Sequence, residues 1–289
     1  MKRAMFAALF SALLITTGSA QSILNSGDGP LSITTIAETG FVKILTHEIT
    51  IGDPGAGNTT FDYVREGGQE ILFPFSRLSA ELGIGARHRV IFLYQPLLIE
   101  TQVWLQDART IDGETFVADE GVNVTYSFPF YRTSYLFDFF PQDETELALG
   151  VSLQLRNASV RFESTRGQRI VVTQDLGLVP IIKLRAEHRF VDARIPGAFV
   201  AGEVDGFYAS SAIFNGADFD FTGSIFDASI RAGYQPIDGV EVFLNVRALG
   251  GGANGTRPAG DNIFWTQSRD GFTDNFLTSL SVTLGARLR

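Results

Sequence analysis

The 289-residue chain has no cysteine, two methionines, two tryptophans and three histidines. Without cysteine there is no disulfide, no thiolate metal site and no acylated N-terminal cysteine of a lipoprotein. The histidines, His47, His88 and His188, lie too far apart in sequence to form a metal-binding motif. Beyond residue 20 no window of about 20 residues stays apolar, so a transmembrane helix is not expected. A membrane-spanning version of this chain would have to be a closed barrel, because an open sheet leaves backbone groups unpaired in hydrocarbon. An excess of positive charge is missing too: 23 Lys and Arg stand against 32 Asp and Glu, a net charge of −9. That balance argues against nucleic-acid binding, which usually shows a basic patch.

The first residues have a three-part plan. Lys2 and Arg3 are followed by an apolar stretch from Ala4 to about Thr17, then by small residues, Gly18-Ser19-Ala20, before Gln21. This is the pattern of a secretory signal peptide over 1–20, with a mature chain starting near Gln21. The apolar run is short for a membrane anchor.

What the chain has in quantity is Gly (30), Phe (25) and period-two alternation. Leu147, Leu149, Val151, Leu153 and Leu155 alternate with smaller or polar residues, as do Phe226, Ala228, Ile230, Ala232 and Tyr234. After Gln235-Pro236-Ile237-Asp238-Gly239 the pattern resumes through Val240, Val242, Leu244, Val246 and Ala248, and it recurs from Phe276 to Leu288. Several runs exceed the roughly 9–11 residues of a membrane-crossing strand. A soluble sandwich or lipocalin-like barrel would also alternate, with shorter strands. The expected fold is an all-β, antiparallel, up-and-down transmembrane β-barrel of about ten strands, with eight or twelve as alternatives. The proposed strands lie near 39–51, 75–86, 88–106, 119–140, 145–164, 169–190, 198–214, 221–235, 239–250 and 273–289. Residues 21–38 would form an N-terminal periplasmic segment and 39–289 the barrel. Short connections at 86–88, 141–145, 192–197 and 236–239 contrast with long ones near 52–74, 107–118 and 251–272, and 165–168 is short on the long-loop side.

One proposed strand carries an apparent contradiction. Val122, Val124, Tyr126 and Phe128 define one apolar face, whereas Tyr131, Tyr135, Phe137 and Phe139 define the other. A one-residue bulge near Phe128-Pro129-Phe130 would reconcile them. The aromatic density near Phe137–Phe140 would suit a girdle at a membrane–water boundary.

If the apolar face meets lipid, the opposite face lines the lumen. It would carry Glu81, Arg132, Asp138, Glu146, Arg156, Lys183, Arg185, Glu187, Arg189, Glu203, Asp205, Asp227, Arg231, Glu241, Arg247 and Arg287. The signs are nearly balanced, and a barrel of about ten strands is narrow. Paired charges filling the lumen are therefore preferred over a conducting path, since unpaired buried charge is costly.

The segments Ser127-Phe128-Pro129-Phe130-Tyr131-Arg132-Thr133-Ser134-Tyr135-Leu136-Phe137-Asp138-Phe139, Phe61-Asp62-Tyr63-Val64-Arg65-Glu66-Gly67-Gly68 and Asn245-Val246-Arg247-Ala248-Leu249-Gly250-Gly251-Gly252-Ala253 resemble an uncharacterised family of Gram-negative outer-membrane β-barrel proteins. The resemblance covers most of the mature chain. It implies location in the outer membrane, contact with its lipid and lipopolysaccharide, and insertion by the barrel-assembly machinery. It implies no activity and no catalytic residue. The chain ends in Arg289, where many such barrels end in an aromatic residue.

Little chemistry is legible. His47, followed by Glu48, is the one histidine expected near the outer rim. An omptin-like site would also need acidic pairs there; Asp112, Glu114, Asp119 and Glu120 are near, but acidic loops are common. The acidic loop residues Asp53, Asp62, Glu66, Asp112, Asp119, Asp261, Asp270 and Asp274 could hold Ca²⁺ loosely, and a solvated acidic surface explains them better. The run Gly250–Gly255 opens no helix and so lacks the context of a phosphate loop. The reading is a structural or surface-interaction barrel without cofactor, with a narrow solute channel or an outer-membrane hydrolase as alternatives.

Overall fold

A computed structural model describes residues 31–52, 54–141, 144–191, 194–210, 221–255 and 273–289. The signal-peptide segment, residues 21–30, Asp53, Asp261 and Asp270 lie outside the described residues. No α-helix occurs among the described residues.

The barrel strands are β1 (Leu31–Ile51), β2 (Leu72–Ile84), β3 (His88–Gln95 continued by Leu98–Trp104), β4 (Gly121–Ser127 continued by Phe130–Asp138), β5 (Thr145–Ser164), β6 (Ile170–Arg189), β7 (Phe199–Ser210), β8 (Phe221–Ile237), β9 (Val240–Gly255) and β10 (Thr273–Leu288). Each pairs antiparallel with its sequence neighbours, and β10 closes on β1 through a ladder from Thr35↔Leu288 to Ile51↔Thr273. The result is a closed ten-stranded up-and-down barrel with no free edge. The first strand begins at Leu31 rather than at residue 39, because Leu31–Lys43 pairs with β2 along its whole length. Its alternation was weak to read, since threonines hold several outward positions.

One end of the barrel, the turn end, carries the tight connections and the last strand's terminus. There Asp238-Gly239 joins β8 to β9, with Gly239 at φ +75°, a conformation open to glycine. The loop end carries residues 52–71 and 105–120 and the short turn after Ser164. Within the second of these, Arg109–Ile111 and Glu114–Phe116 form a hairpin. Asp112 and Gly113 sit at φ +50° and +80°, the two positive angles of a type I′ turn.

The expected bulge at Pro129 is absent. The β4–β5 ladder runs from Ser127↔Ser159 to Phe130↔Arg156 without a register shift, bridged by the Asn157 amide on the Pro129 carbonyl at 3.2 Å. Val122, Val124, Tyr126, Phe130, Arg132, Ser134, Leu136 and Asp138 all point inward and are buried. The parity never changes; the environment does. Below Pro129 the outside is apolar and the inside polar, and above it the reverse holds. A register shift does occur in β1, between Ile44 and Thr46, where the inward set passes from Val42 and Ile44 to His47, Ile49 and Ile51.

The outward face shows the same boundary on neighbouring strands. On β5, Leu149, Val151, Leu153 and Leu155 are exposed, and Asn157, Ser159, Arg161 and Glu163 follow. On β1, exposed Phe41 and Leu45 give way to Thr46 and Glu48, and on β3 Phe92 and Leu98 give way to Glu100 and Gln102. Exposed Trp104 interrupts the polar face of β3. β5 has 20 residues, about twice a membrane-crossing strand, so half of it projects beyond the lipid-facing band.

Candidate functional site: the filled interior

The interior consists of two stacked layers. In the turn half, long polar side chains meet across the lumen. Arg185 on β6 donates to Glu81 on β2 at 2.6 and 3.1 Å and also to Glu146 on β5. Arg89 lies 3.4 Å from Glu81. Lys183 contacts Glu203 at 2.8 Å and Asp205 at 3.0 Å, and Glu203 also accepts from Arg231. Arg132 on β4 reaches across to Asp205 and Asp227, both at 3.1 Å, and donates to Gln154 at 2.9 and 2.7 Å. Arg247 completes the group on Asp227 at 2.7 Å. Nearer the turn end, Glu187 and Glu241 share Arg189 and Arg287, and Arg289 lies 3.1 Å from Glu241.

This arrangement follows from strand parity. Charged residues two apart on one strand, such as Lys183, Arg185, Glu187 and Arg189, share the inward face. They avoid lipid, and their ionised ends find partners on the far wall because the lumen is narrow.

Two of the expected lumen residues stand apart from the ion pairs. Asp138 is inward and buried, but its carboxylate accepts the amides of Phe140 and Leu147 and so fastens the β4–β5 turn. Arg156 is inward and half-buried, and among the described residues it makes no ion pair. Conversely, Glu38, Arg77, Arg89, Gln154 and Asn245 belong to the polar layer and were missed. Arg77 shares parity with Glu81 on β2 and could have been found, whereas Glu38 fell in a segment read as lying before the barrel.

The loop half is filled differently. The chain between β1 and β2 turns back into the barrel mouth, where Phe61 and Tyr63 join Val122, Val124, Tyr126, Val160, Phe162 and Leu277 in one buried apolar cluster. Phe162 meets Phe61 edge-on at 5.0 Å. Ile111 and Phe116 of the outer hairpin cover the cluster, and Arg109 ties that hairpin to Glu66 at 2.5 Å.

His47 lies under this loop and is 0 % exposed. Its ring stacks on Tyr63 at 4.0 Å, meets Tyr126 edge-on at 4.3 Å, and its Nδ1 pairs with the Gln69 side chain at 2.8 Å. No carboxylate hydrogen-bonds it, so the orienting acid of a hydrolytic triad is missing at this position among the described residues. Near the turn end, His88 pairs with the Tyr135 hydroxyl and His188 with that of Thr145. At the loop rim, beyond the lipid-facing band, Glu120 accepts from the Ser164 hydroxyl at 2.6 Å, the Val117 amide at 3.1 Å and Arg169 at 3.0 Å. The Ser164 hydrogen bond, with the amide and the guanidinium, holds this carboxyl below the usual carboxylate range.

No protein-family model and no curated protein matches the sequence. The fold is similar to that of the outer-membrane protease OmpT from Escherichia coli. The match covers 89 % of this chain and 96 % of that one, at 9 % identity and a TM-score of 0.52. The transport unit of the autotransporter AIDA-I from Escherichia coli matches over 94 % and 96 % of the two chains, at 8 % identity and a TM-score of 0.41. Ail of Yersinia pestis matches over 87 % and 99 %, at 7 % identity and a TM-score of 0.31. The match to OmpT shows a shared outer-membrane β-barrel fold, and likeness at this level speaks to fold alone.

Proposed function

We propose that this protein is a non-conducting, non-enzymatic barrel of the Gram-negative outer membrane that presents its rigid loop half at the cell surface as an interaction platform. The observation that carries the reading is the double filling: an ion-paired layer spans the lumen in the turn half, and an apolar cluster seals the mouth above it. Each layer sets an obstacle to water and ions along the barrel axis. Surface location is supported by the inversion of polarity at the outer edge of the lipid-facing band. The polar exterior beyond that edge suits lipopolysaccharide headgroups and water. The turn end then faces the periplasm, the barrel-assembly machinery inserts the chain, and processing after Ala20 releases the signal peptide.

The test is conductance. Refolded protein in a planar bilayer is expected to give no steady single-channel steps, and regular steps would establish the narrow-channel alternative in its place. Membrane fractionation with heat-modifiable gel mobility checks the location, and a mature N-terminus at Gln21 checks processing. Should a lipid- or peptide-cleaving activity be found and His47→Ala abolish it, the non-enzymatic reading is wrong.

A further inference from the structure

One guanidinium of the polar layer has a distant ion-pair partner and, among the described residues, no hydrogen bond. Arg77, on β2, is 7 % exposed, and among the described residues it donates no hydrogen bond. Its nearest carboxylate oxygen, on Glu38, is 4.0 Å away. Glu38 faces Arg77 with Oε1, while its Oε2 accepts from Asn245 at 2.7 Å and from Thr283 at 2.8 Å, so the pair is held apart at that distance. The Arg77 Nε is fully enclosed and has no partner.

Arg77 lines a cavity in the middle of the barrel with about 20 Å³ of free space, room for one or two water-sized occupants. Two hydroxyls, Ser79 and Ser134, line it as well. Ser134 Oγ already accepts from Ser152, so its own proton is available to an acceptor in the cavity. Carboxylates line it too, Glu38, Glu81 and Glu203, but with their ion-pair partners the surrounding cations number seven (Arg77, Arg89, Arg132, Lys183, Arg185, Arg231 and Arg247) against six carboxylates (Glu38, Glu81, Glu146, Glu203, Asp205 and Asp227). The surroundings therefore offer donors and carry one positive charge more than the carboxylates answer. A neutral water would meet the donors but leave that charge uncompensated, which burial makes costly.

We propose that this cavity is a binding site for a small monovalent anion of halide size, held by the Arg77 guanidinium and the hydroxyls of Ser79 and Ser134. The occupant would complete the polar layer and act as a structural ion of the barrel. The proposal does not depend on whether the lumen conducts.

Bromide is the probe. Crystals of the detergent-purified full chain grown in sodium bromide are expected to show an anomalous peak beside Arg77 at the bromine absorption edge. In solution, urea unfolding is compared in sodium chloride and sodium gluconate at equal ionic strength. At ten times its dissociation constant, chloride should favour the folded state about tenfold, and gluconate, too large for the cavity, should not. Arg77→Gln should lose the difference between the two salts, while Arg77→Lys keeps part of it. Should Arg77→Gln fail to fold, the anomalous map and the salt comparison on the unaltered protein still decide. A water-sized feature without anomalous signal, or equal stability in the two salts, overturns the proposal.

Discussion

The two halves of this barrel share strands, parity and hydrogen-bond ladders, yet they are inside-out versions of each other. In the turn half the wall is apolar outside and charged within. In the loop half, on β1, β3, β4 and β5, it is largely polar outside and apolar within, while Trp104, Ile170, Val172 and Phe276 keep exposed apolar positions there. The change falls near Pro129, Leu155 and Leu45, on strands whose pairing is continuous or nearly so. The lesson is that solvent sets which face must be apolar, while strand geometry only sets that the faces alternate.

The strongest way to break this contrast is to remove a charge from the polar layer. Arg132 is buried between Asp205, Asp227 and Gln154. Arg132→Met takes one ion pair from each of two buried carboxylates, leaving Asp205 to Lys183 and Asp227 to Arg247, and should cost about 3–5 kcal/mol in urea unfolding. A change within experimental error would mean that water reaches this layer and screens it. In the loop half the matching test is apolar. Phe162→Ala opens a cavity among Phe61, Tyr63 and Phe116 and should cost about 3–5 kcal/mol of local stability. That loss should appear as faster hydrogen exchange and protease nicking in 52–71, with the membrane-embedded ladders unchanged. Uniform loosening of all strands would show that the halves unfold as one.

The outer face offers a paired test on a single strand. Val151 is 61 % exposed within the lipid-facing band, and Asn157, six residues further along β5, is exposed above it. Val151→Arg should destabilise the lipid-embedded barrel by about 2–4 kcal/mol. Asn157→Arg should stay within about 0.5 kcal/mol of the unaltered protein. Equal costs would move the membrane boundary away from this position.

The same contrast explains what the sequence made legible. Ten strands were readable because lipid enforces long alternating runs, and Leu147–Leu155 and Leu280–Leu288 show this without ambiguity. Most lumen charges were readable because a charge on a lipid-facing strand has only one side to go to. The inversion was not readable. Val122, Val124 and Tyr126 are as apolar as Tyr131 and Tyr135, and alternation cannot say whether an apolar residue faces lipid or a core. Assuming one rule for the whole strand turned a change of surroundings into a bulge at Pro129. The true bulge, in β1 beside Leu45, left no proline or glycine mark. The folding of Phe61 and Tyr63 into the mouth was hidden for a related reason: a loop filling a barrel has no periodicity. His47 does lie in the loop half of β1, but only the tertiary packing of Tyr63 and Gln69 reveals that it is enclosed.

The smallest expected effect sharpens the comparison at its outer limit. Glu120 is tied to Ser164, Val117 and Arg169 where β5 and the outer hairpin meet, beyond the lipid. Because its carboxyl titrates below the unfolded value, its contribution to stability is present above that value and is lost as pH falls through the lower, folded value. Acidification below the ordinary carboxylate range should therefore free the Val117 amide and raise its hydrogen exchange. Glu120→Gln should remove the pH-dependent part at a cost of less than about 1 kcal/mol, because the pair with Arg169 is at the rim. If the Val117 amide responds to acid as strongly in Glu120→Gln as in the unaltered protein, this carboxyl is not what fastens the outer hairpin to β5.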